Sequence, residues 1–234
     1  MYEGKKVLAM IPARGRNDGI PHMNMRLLGG KPLIYYTIKA AKACDWIDKI
    51  VVSTEDAGIA EYVVSQGVEV PFLRNPDLAG DTVVMETIIE ELLAHYGQQG
   101  MRYDILLNLY PNAPFKSKEL LLQFTRKAVD DDMVIPLHAH QNYFWSTQAG
   151  SAQLFMDATR TTRKQAMKKY EELGGIYAHN LSRGRWKESD AERIGYCELD
   201  FHDSRMVNSV YDMIMLERLI RLPKSLIDDL LKSE

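Results

Sequence analysis

The sequence is poor in the features that mark secreted, membrane-spanning or metal-binding chains. It contains only two cysteines, Cys44 and Cys197, which lie far apart and lack the close spacing of a metal-binding pair. No apolar run has the length of a membrane span or the flanks of a secretory signal. These absences predict reduced thiols in a cytoplasmic protein that has no membrane partner.

Charge of one sign is not in excess either. The 234 residues carry 29 lysines and arginines against 32 aspartates and glutamates, for a formal net charge of −3. No overall field therefore favours nucleic acid or an anionic membrane, and any affinity for phosphate must be local. Because internal repeats, low-complexity segments and a linker-like composition are also missing, we expect a single α/β domain over residues 1–234.

What the chain does have is a regular alternation of strands and helices. Apolar or β-branched runs predict strands at residues 7–11, 49–53, 68–73, 104–109 and 133–137, then at 174–177 and 193–199. Amphipathic or capped segments predict helices at residues 32–46, 54–66, 83–96, 117–129 and 209–222, with a last amphipathic turn at 225–232. Such alternation is typical of an α/β fold with a doubly wound, mainly parallel sheet.

The loop after the first strand has the composition of an anion-binding loop. Pro12 ends the apolar run, and Arg14, Gly15, Arg16 and Gly19 follow. Glycines let backbone N–H groups approach a ligand closely, and arginines present forked donors suited to phosphate or carboxylate. The loop could therefore hold a nucleotide triphosphate at the carboxyl end of the first strand. It matches neither the Walker phosphate loop nor the dinucleotide fingerprint, so an ordinary connection with surface arginines is the open alternative.

The rhythm of strands and helices changes at about His138. Residues 138–170 are first aromatic, with Tyr143, Phe144 and Trp145, and then basic, without a clean period. We interpret this segment as an excursion outside the main sheet that serves as an oligomerisation arm. The aromatic run favours a dimer interface, with stacking on a nucleotide base as the alternative.

Several segments, in order and with suitable spacing, resemble the acylneuraminate cytidylyltransferase family, which includes the CMP-sialic acid synthetases. The matching segments are residues 5–24, VVSTED at 51–56, PFLR at 71–74, LAGDT at 78–82, YPNAPFKS at 110–117, RKQ at 163–165 and GGIY at 174–177. The resemblance implies a nucleotide-diphospho-sugar transferase-like fold and a homodimer formed through residues 138–170. It also implies transfer of CMP from CTP to a 2-keto-3-deoxy sugar acid, sialic acid or a bacterial analogue, with release of pyrophosphate and a requirement for Mg²⁺.

The resemblance further implies roles for individual residues. Arg14 and Asn24 fall on catalytic positions of the nucleotide loop. Nucleotide-binding positions are Ala13, Arg14, Gly15, Arg74, Asp81, Thr82 and Tyr110. Positions that bind the sugar acid are Arg163, Gln165 and Tyr177.

Some positions depart from the family pattern. The family's two loop lysines are replaced by Asp18 and Met23, the glutamine before its Pro-Thr-Ser turn is Tyr110, and its Asp-x-Asp metal pair is Met206-Val207-Asn208. One hypothesis is that Asp18 and the neutral oxygen of Asn208 bind the metal while Arg16 acts catalytically in place of a lysine. The alternative is that Asp18 merely caps the turn.

These departures leave several functions open. The leading one is an active cytidylyltransferase. Another is a catalytically impaired relative that binds a nucleotide or a sugar acid in a regulatory or partner role. A third is a nucleotidyltransferase of changed base or acceptor specificity, for which Tyr110 is the first residue to test.

Overall fold

The computed structural model describes residues 1–16, 19–80, 83–140, 144–148, 150–154 and 168–222, and every structural statement below concerns these ranges. The strands are β1 (Val7–Pro12), β2 (Leu27–Leu28), β3 (Lys31–Pro32), β4 (Lys49–Ser53), β5 (Ile105–Leu109), β6 (Met133–His140), β7 (Trp145–Gln148), β8 (Ser151–Leu154), β9 (Lys169–Glu172), β10 (Ile176–Asn180) and β11 (Ile194–Leu199). The helices are α1 (Leu33–Lys42), α2 (Ala57–Ser65), α3 (Met85–Gln98), α4 (Lys118–Asp130) and α5 (Val210–Leu219).

The central sheet has the strand order β11-β6-β10-β5-β1-β4, and β9 pairs with the far end of β6. β1 runs parallel to β4 and β5, and β11 runs parallel to β6. β10 is antiparallel to both of its neighbours, and β9 is antiparallel to β6. The predicted α/β fold is confirmed, with a sheet that is mixed because antiparallel strands lie between and beside the parallel pairs.

β1 is buried on both faces and supplies side chains to two layers. Val7, Ala9 and Ile11 pack into the cluster beneath α1 and α4, whereas Leu8 and Met10 pack into the cluster beneath α3. This division follows from the two-residue period of a strand. A strand covered on both sides reads as a continuous apolar run, and this is why residues 7–11 predict it so clearly.

Element boundaries differ from the prediction in several places. The strand predicted at 68–73 is present only as two parallel bridges, Glu69 with Val51 and Leu73 with Thr54. Pro71 lies between them and has no N–H to donate to a ladder, so a continuous strand cannot form. The first helix ends at Lys42 rather than at residue 46. The turn predicted at residues 225–232 lies outside the described residues.

The segment predicted as an arm is described in part. β6 continues to His140 and β9 begins at Lys169, so both ends of the segment belong to the central sheet. Between them, β7 and β8 form a separate two-stranded hairpin whose residues are largely exposed. Residues 141–143, 149 and 155–167 lie outside the description, and the dimerisation role stays a prediction.

Both cysteines are free and buried. Burial raises the pKa of each thiol, Cys44 and Cys197, to about 11, and these thiols are therefore protonated and unreactive at neutral pH. Within the described ranges, no helix combines the length and the apolar character that crossing a membrane requires.

Candidate nucleotide-binding crevice

A crevice of about 290 Å³ lies where β1 and β5 end. Its walls come from the loop after β1, the turn before α3, the first residues of α3 and the turn after β5. The lining residues are Pro12, Arg14, Met23, Asn24, Arg74, Leu78, Ala79, Gly80, Val83, Met85, Ile88, Tyr110, Pro111 and Asn112. This described lining contains two arginines and no carboxylate, so the crevice favours an anionic ligand. The position, outside the carboxyl ends of parallel strands, is the one where α/β sheets bind ligands.

Glu55 joins the loop after β1 to an arginine in the crevice wall. Its Oε1 accepts a hydrogen bond from the Gly15 N–H at 2.7 Å, and its Oε2 accepts one from Nη2 of Arg74 at 2.5 Å. Arg74 is only 3% exposed, and a guanidinium at that depth is stable only when it is paired. The ion pair therefore fixes both the arginine and the loop against the start of α2.

Gly15 is required at this point because the loop passes very close to Asp56. The Asp56 carboxylate caps α2 by accepting a hydrogen bond from the Ile59 N–H at 2.9 Å, as the capped-helix prediction expects. A Cβ added at residue 15 would lie 2.3 Å from Oδ2 of Asp56. Any side chain here would have to displace either the cap or the loop.

Three buried polar atoms on the crevice wall have no hydrogen-bond partner among the described residues. They are Oδ1 of Asn24, Nε of Arg74 and Oδ1 of Asn112. Asn24 is 4% exposed, and its amide nitrogen donates to the Arg14 carbonyl at 2.8 Å. Because buried polar atoms in native proteins are nearly always paired, two acceptors and one donor on one wall indicate a polar ligand.

Tyr110 lines the crevice, and Tyr177, which does not line it, packs against the Tyr110 ring. Nδ2 of Asn108 donates to the Tyr110 phenol oxygen at 3.2 Å, and burial raises the pKa of Tyr110 to about 12. The Tyr177 ring meets the Tyr110 ring edge-on, with centroids 6.0 Å apart, and its hydroxyl donates to Glu172 at 2.9 Å. A predicted nucleotide residue and a predicted sugar-acid residue are thus brought together.

Of the remaining predicted site residues, some line the crevice, some lie away from it and some are outside the described residues. Ala13 is buried and donates its N–H to the Ser53 carbonyl at 2.9 Å, which continues the β1–β4 pairing into the loop. Arg14 lines the crevice, and Arg16 is exposed and does not. Asp18, Asp81, Thr82, Arg163 and Gln165 lie outside the described residues.

Of the two predicted metal ligands, only Asn208 lies among the described residues. Within the described ranges, no group of three or more histidines, cysteines, aspartates or glutamates is arranged to hold a metal ion. Asn208, predicted as a metal ligand, does not line the crevice, and its backbone N–H donates to Asp212 at 2.9 Å. Met206, at the other position of the family's acidic pair, offers a thioether, which is a poor ligand for a hard cation.

Sequence reasoning assigns no site role to Glu55, Asn112 or Lys116, although all three lie inside segments that it singles out. Lys116 is 8% exposed and donates to the Tyr110 carbonyl at 2.7 Å, to Oγ1 of Thr37 at 3.3 Å and to the Ala113 carbonyl. A lysine one residue before a helix cap is typical of a solvated position. Nothing local in the sequence predicts its burial.

The sheet order and the covered parallel strands define an α/β protein, and the crevice lies at the carboxyl ends of its parallel strands. A sequence model of the cytidylyltransferase family matches residues 8–214, and the chain belongs to this family. The resemblance found in the sequence is thereby confirmed.

Similarity to known proteins varies along the chain. The CMP-N,N'-diacetyllegionaminic acid synthase of Legionella pneumophila is 44% identical over 117 residues, a region that spans 50% of this chain and 50% of that protein. The pseudaminic acid cytidylyltransferase of Campylobacter jejuni is 28% identical over 191 residues, 79% of this chain and 82% of that protein. A solved CMP:2-keto-3-deoxy-manno-octonic acid synthetase complexed with CTP has a TM-score of 0.65 at 16% identity, covering 92% of this chain and 98% of that one. This last similarity supports the fold alone.

Proposed function

We propose that this cytidylyltransferase-family chain transfers CMP from CTP to the anomeric hydroxyl of a nine-carbon 2-keto-3-deoxy sugar acid of the sialic acid type. The hydroxyl oxygen bonds to the α-phosphorus, the bond between the α-phosphorus and the bridging oxygen breaks, and pyrophosphate leaves with the electron pair. The hydroxyl proton is released. The names of the Legionella and Campylobacter relatives support an acceptor of this kind.

One observation carries the proposal: a crevice lined by two arginines, of which Arg74 is paired with Glu55, and by three buried polar atoms that have no partner among the described residues. Negative charge builds up on the leaving pyrophosphate, and fixed guanidinium groups stabilise it without having to reorganise. Arg74 is fixed by Glu55, and Arg14 donates from Nη1 to the Ala79 carbonyl at 3.5 Å. Asn24 and Asn112 offer carbonyl oxygens that can accept from amino or hydroxyl groups of the nucleotide.

The acceptor side of the proposal involves Tyr110, which lines the crevice, and Tyr177, whose ring packs against it. Phenols are protonated at neutral pH, and burial moves the pKa values of these two still further above neutrality. The Tyr110 hydroxyl accepts from Asn108, so its own hydrogen is available for a sugar oxygen. Arg163 and Gln165, and Asp81 and Thr82 on the nucleotide side, complete the proposed set from outside the described residues.

Mg²⁺ enters this proposal with CTP as part of the substrate. The ion keeps several waters and binds substrate phosphates readily, so a triphosphate complex needs no dedicated protein cage. The proposal therefore requires no metal ligand from the described residues.

We also propose a homodimer in the cytoplasm. The support is the exposed aromatic surface of the hairpin region, where Phe144 is 38% and Trp145 is 52% exposed. Aromatic residues are enriched at protein interfaces. Light scattering on the wild type and on Trp145→Lys tests the assembly, and a wild-type monomer would exclude it. The free, buried cysteines support a reducing compartment.

Pyrophosphate release from CTP, measured with Mg²⁺ and a panel of nonulosonic acids, tests the activity. We expect release that depends on one of these acids. No release with any acid, from CTP or from another nucleoside triphosphate, would reject the proposal. Tight CMP binding without release would favour the impaired relative, which the Met206 and Asn208 replacements favour as the second candidate.

A further inference from the structure

The turn after β5, residues 110–113, brings Tyr110 and Asn112 to the crevice wall. Contacts from three directions hold its backbone. The Tyr110 N–H donates to the Gly175 carbonyl at 3.0 Å, and the Val207 N–H donates to the Asn112 carbonyl at 2.7 Å. The third anchor is a side chain, the Lys116 ammonium, which donates to the carbonyls of Tyr110 and Ala113.

The Lys116 ammonium is buried and fully hydrogen-bonded, unlike that of a typical surface lysine. Its three N–H groups meet three oxygen acceptors, and Oγ1 of Thr37 adds a link from the turn to α1. All three acceptors are neutral, and no described carboxylate forms an ion pair with the ammonium. Hydrogen bonds, mainly to the turn, must therefore offset the desolvation free energy of the buried ammonium. The geometry of the turn and the protonation state of Lys116 consequently depend on each other.

We propose that Lys116 is a positioning residue whose two hydrogen bonds to the turn at residues 110–113, together with its bond to Thr37 of α1, hold that turn so that Tyr110 and Asn112 face the nucleotide. This inference rests on the proposed function, because the nucleotide is the ligand that would sense the turn. Lys116 does not line the crevice and acts only through the turn.

The arrangement has a pH dependence of definite sign. Burial lowers the pKa of Lys116 to about 7. A neutral amine has two N–H groups, so one of the three acceptors loses its donor as pH rises through this value. Other charged or titratable groups line the cavity around Lys116: Tyr36 and Lys39 from α1, Lys118 and Glu119 from α4, and Asp200, His202 and Asp203 from the loop after β11. Nucleotide affinity should therefore weaken between pH 6 and pH 8.

Binding of CMP, measured by calorimetry, tests the inference with Lys116→Met and Lys116→Arg. We expect Lys116→Met to weaken binding about tenfold or more, the effect of leaving buried acceptors unpaired. The matched control is Lys39→Met, an exposed lysine of the same cavity, which should change the affinity less than about twofold. Equal affinity of the wild type and Lys116→Met would overturn the inference and leave the proposed function intact. A wild type that binds neither CMP nor CTP would overturn both.

Two further readouts distinguish positioning from general stability. Lys116→Arg keeps its charge at all these pH values, so the pH-dependent loss seen in the wild type should disappear. His202→Gln must also retain that loss if Lys116 is its source; His202 is the histidine of the same cavity and stacks on Phe115 with ring centroids 4.3 Å apart. In the nucleotide-free protein, Lys116→Met should speed hydrogen exchange of the Tyr110 and Val207 amides. Unchanged exchange would contradict the role even if Lys116→Met weakened binding.

Discussion

The two halves of the central sheet differ in how they meet solvent. β1 and β5 are buried along their whole length, lie parallel and end at the crevice. On the other side of the sheet, β9 is mostly exposed, and β11 has exposed residues between its buried ones. The exposed hairpin β7–β8 lies in the segment between β6 and β9 of this half. Under the proposed function, we assign the buried half to the nucleotide and the exposed half to the acceptor or a second subunit.

The half of the molecule around β1 and β5 depends on a few buried polar contacts. Substitutions at these contacts should therefore have the largest effects on activity and stability. Glu55 bonds both Arg74 and the Gly15 N–H, and Lys116 donates to the Tyr110 carbonyl. Residues of the exposed half can relax into water and should tolerate more.

Arg74→Met should lower kcat/KM for CTP by about 100-fold or more. The substitution removes a crevice cation and leaves the Glu55 carboxylate, 12% exposed, without its ion pair. Pyrophosphate release and CTP calorimetry measure the loss. Arg221→Met, an exposed arginine paired with Glu217 on α5, is the control and should change little. A loss below about threefold for Arg74→Met would remove the arginine from the site.

Gly15→Ala should destabilise the fold by about 1–3 kcal/mol and weaken CTP binding about tenfold, because the new Cβ meets the Asp56 carboxylate. Urea unfolding measures the free energy of unfolding. Gly97→Ala is the matched control: it lies in α3, an added Cβ there has nothing within 4 Å, and the helix should gain about 0.5–1 kcal/mol. Equal effects of the two substitutions would mean that the loop does not need this close approach.

The free energy of unfolding of the wild type should rise relative to that of Lys116→Met between pH 7 and pH 9. Burial lowers the folded-state pKa of Lys116 to about 7, below its value in the unfolded chain. The unfolded state therefore binds more protons in this window, and stability increases with pH by at most about 1.4 kcal/mol per unit. Below pH 7 the difference should be flat. Urea midpoints at several pH values measure it, and a flat difference throughout would place the folded-state pKa near its ordinary value.

The difference between the buried and the exposed half of the sheet also explains which parts of the fold could be predicted from the sequence. The half that contains β1 and β5 could be predicted, because apolar runs such as residues 7–11 are typical of strands that are buried on both faces. The direction of β10 was not, because strand periodicity is identical in parallel and antiparallel ladders. The local strand signal at residues 68–73 failed at Pro71, which removes a ladder donor.

For the site, the composition of the loop and the resemblance pointed to Arg14, Asn24, Arg74 and Tyr110, and all four line the crevice. Glu55 and Lys116 escaped because their roles arise from contacts across the fold, 40 residues away for Gly15 and 79 for Thr37. A local reading finds a helix-capping acid and a surface lysine at these positions. Only the folded chain brings their partners near.

Tyr110 lies between the two halves of the sheet, and Tyr110→Phe should have a moderate effect on activity. It removes a hydroxyl that can donate to the acceptor and leaves the Asn108 amide nitrogen without its oxygen. We expect the KM of the sugar acid to rise about three- to tenfold while the affinity for CMP stays within about twofold. Tyr110→Gln tests the specificity hypothesis, and an unchanged preference among nucleoside triphosphates and acids would remove its basis. A large loss of CMP affinity in Tyr110→Phe would move this residue from the acceptor side to the nucleotide side.

The smallest expected effect is that of metal removal on nucleotide binding. Because the described lining of the crevice contains no carboxylate and the described residues hold no three-ligand cluster, CMP affinity should change less than about twofold between Mg²⁺ and EDTA. Turnover of CTP can still require the ion, since it enters there with the triphosphate. Calorimetry with CMP under both conditions makes the measurement. If EDTA instead weakens CMP binding tenfold or more, a protein carboxylate must hold the ion, and Asp18→Asn and Asp81→Asn would show which of the two undescribed segments supplies it.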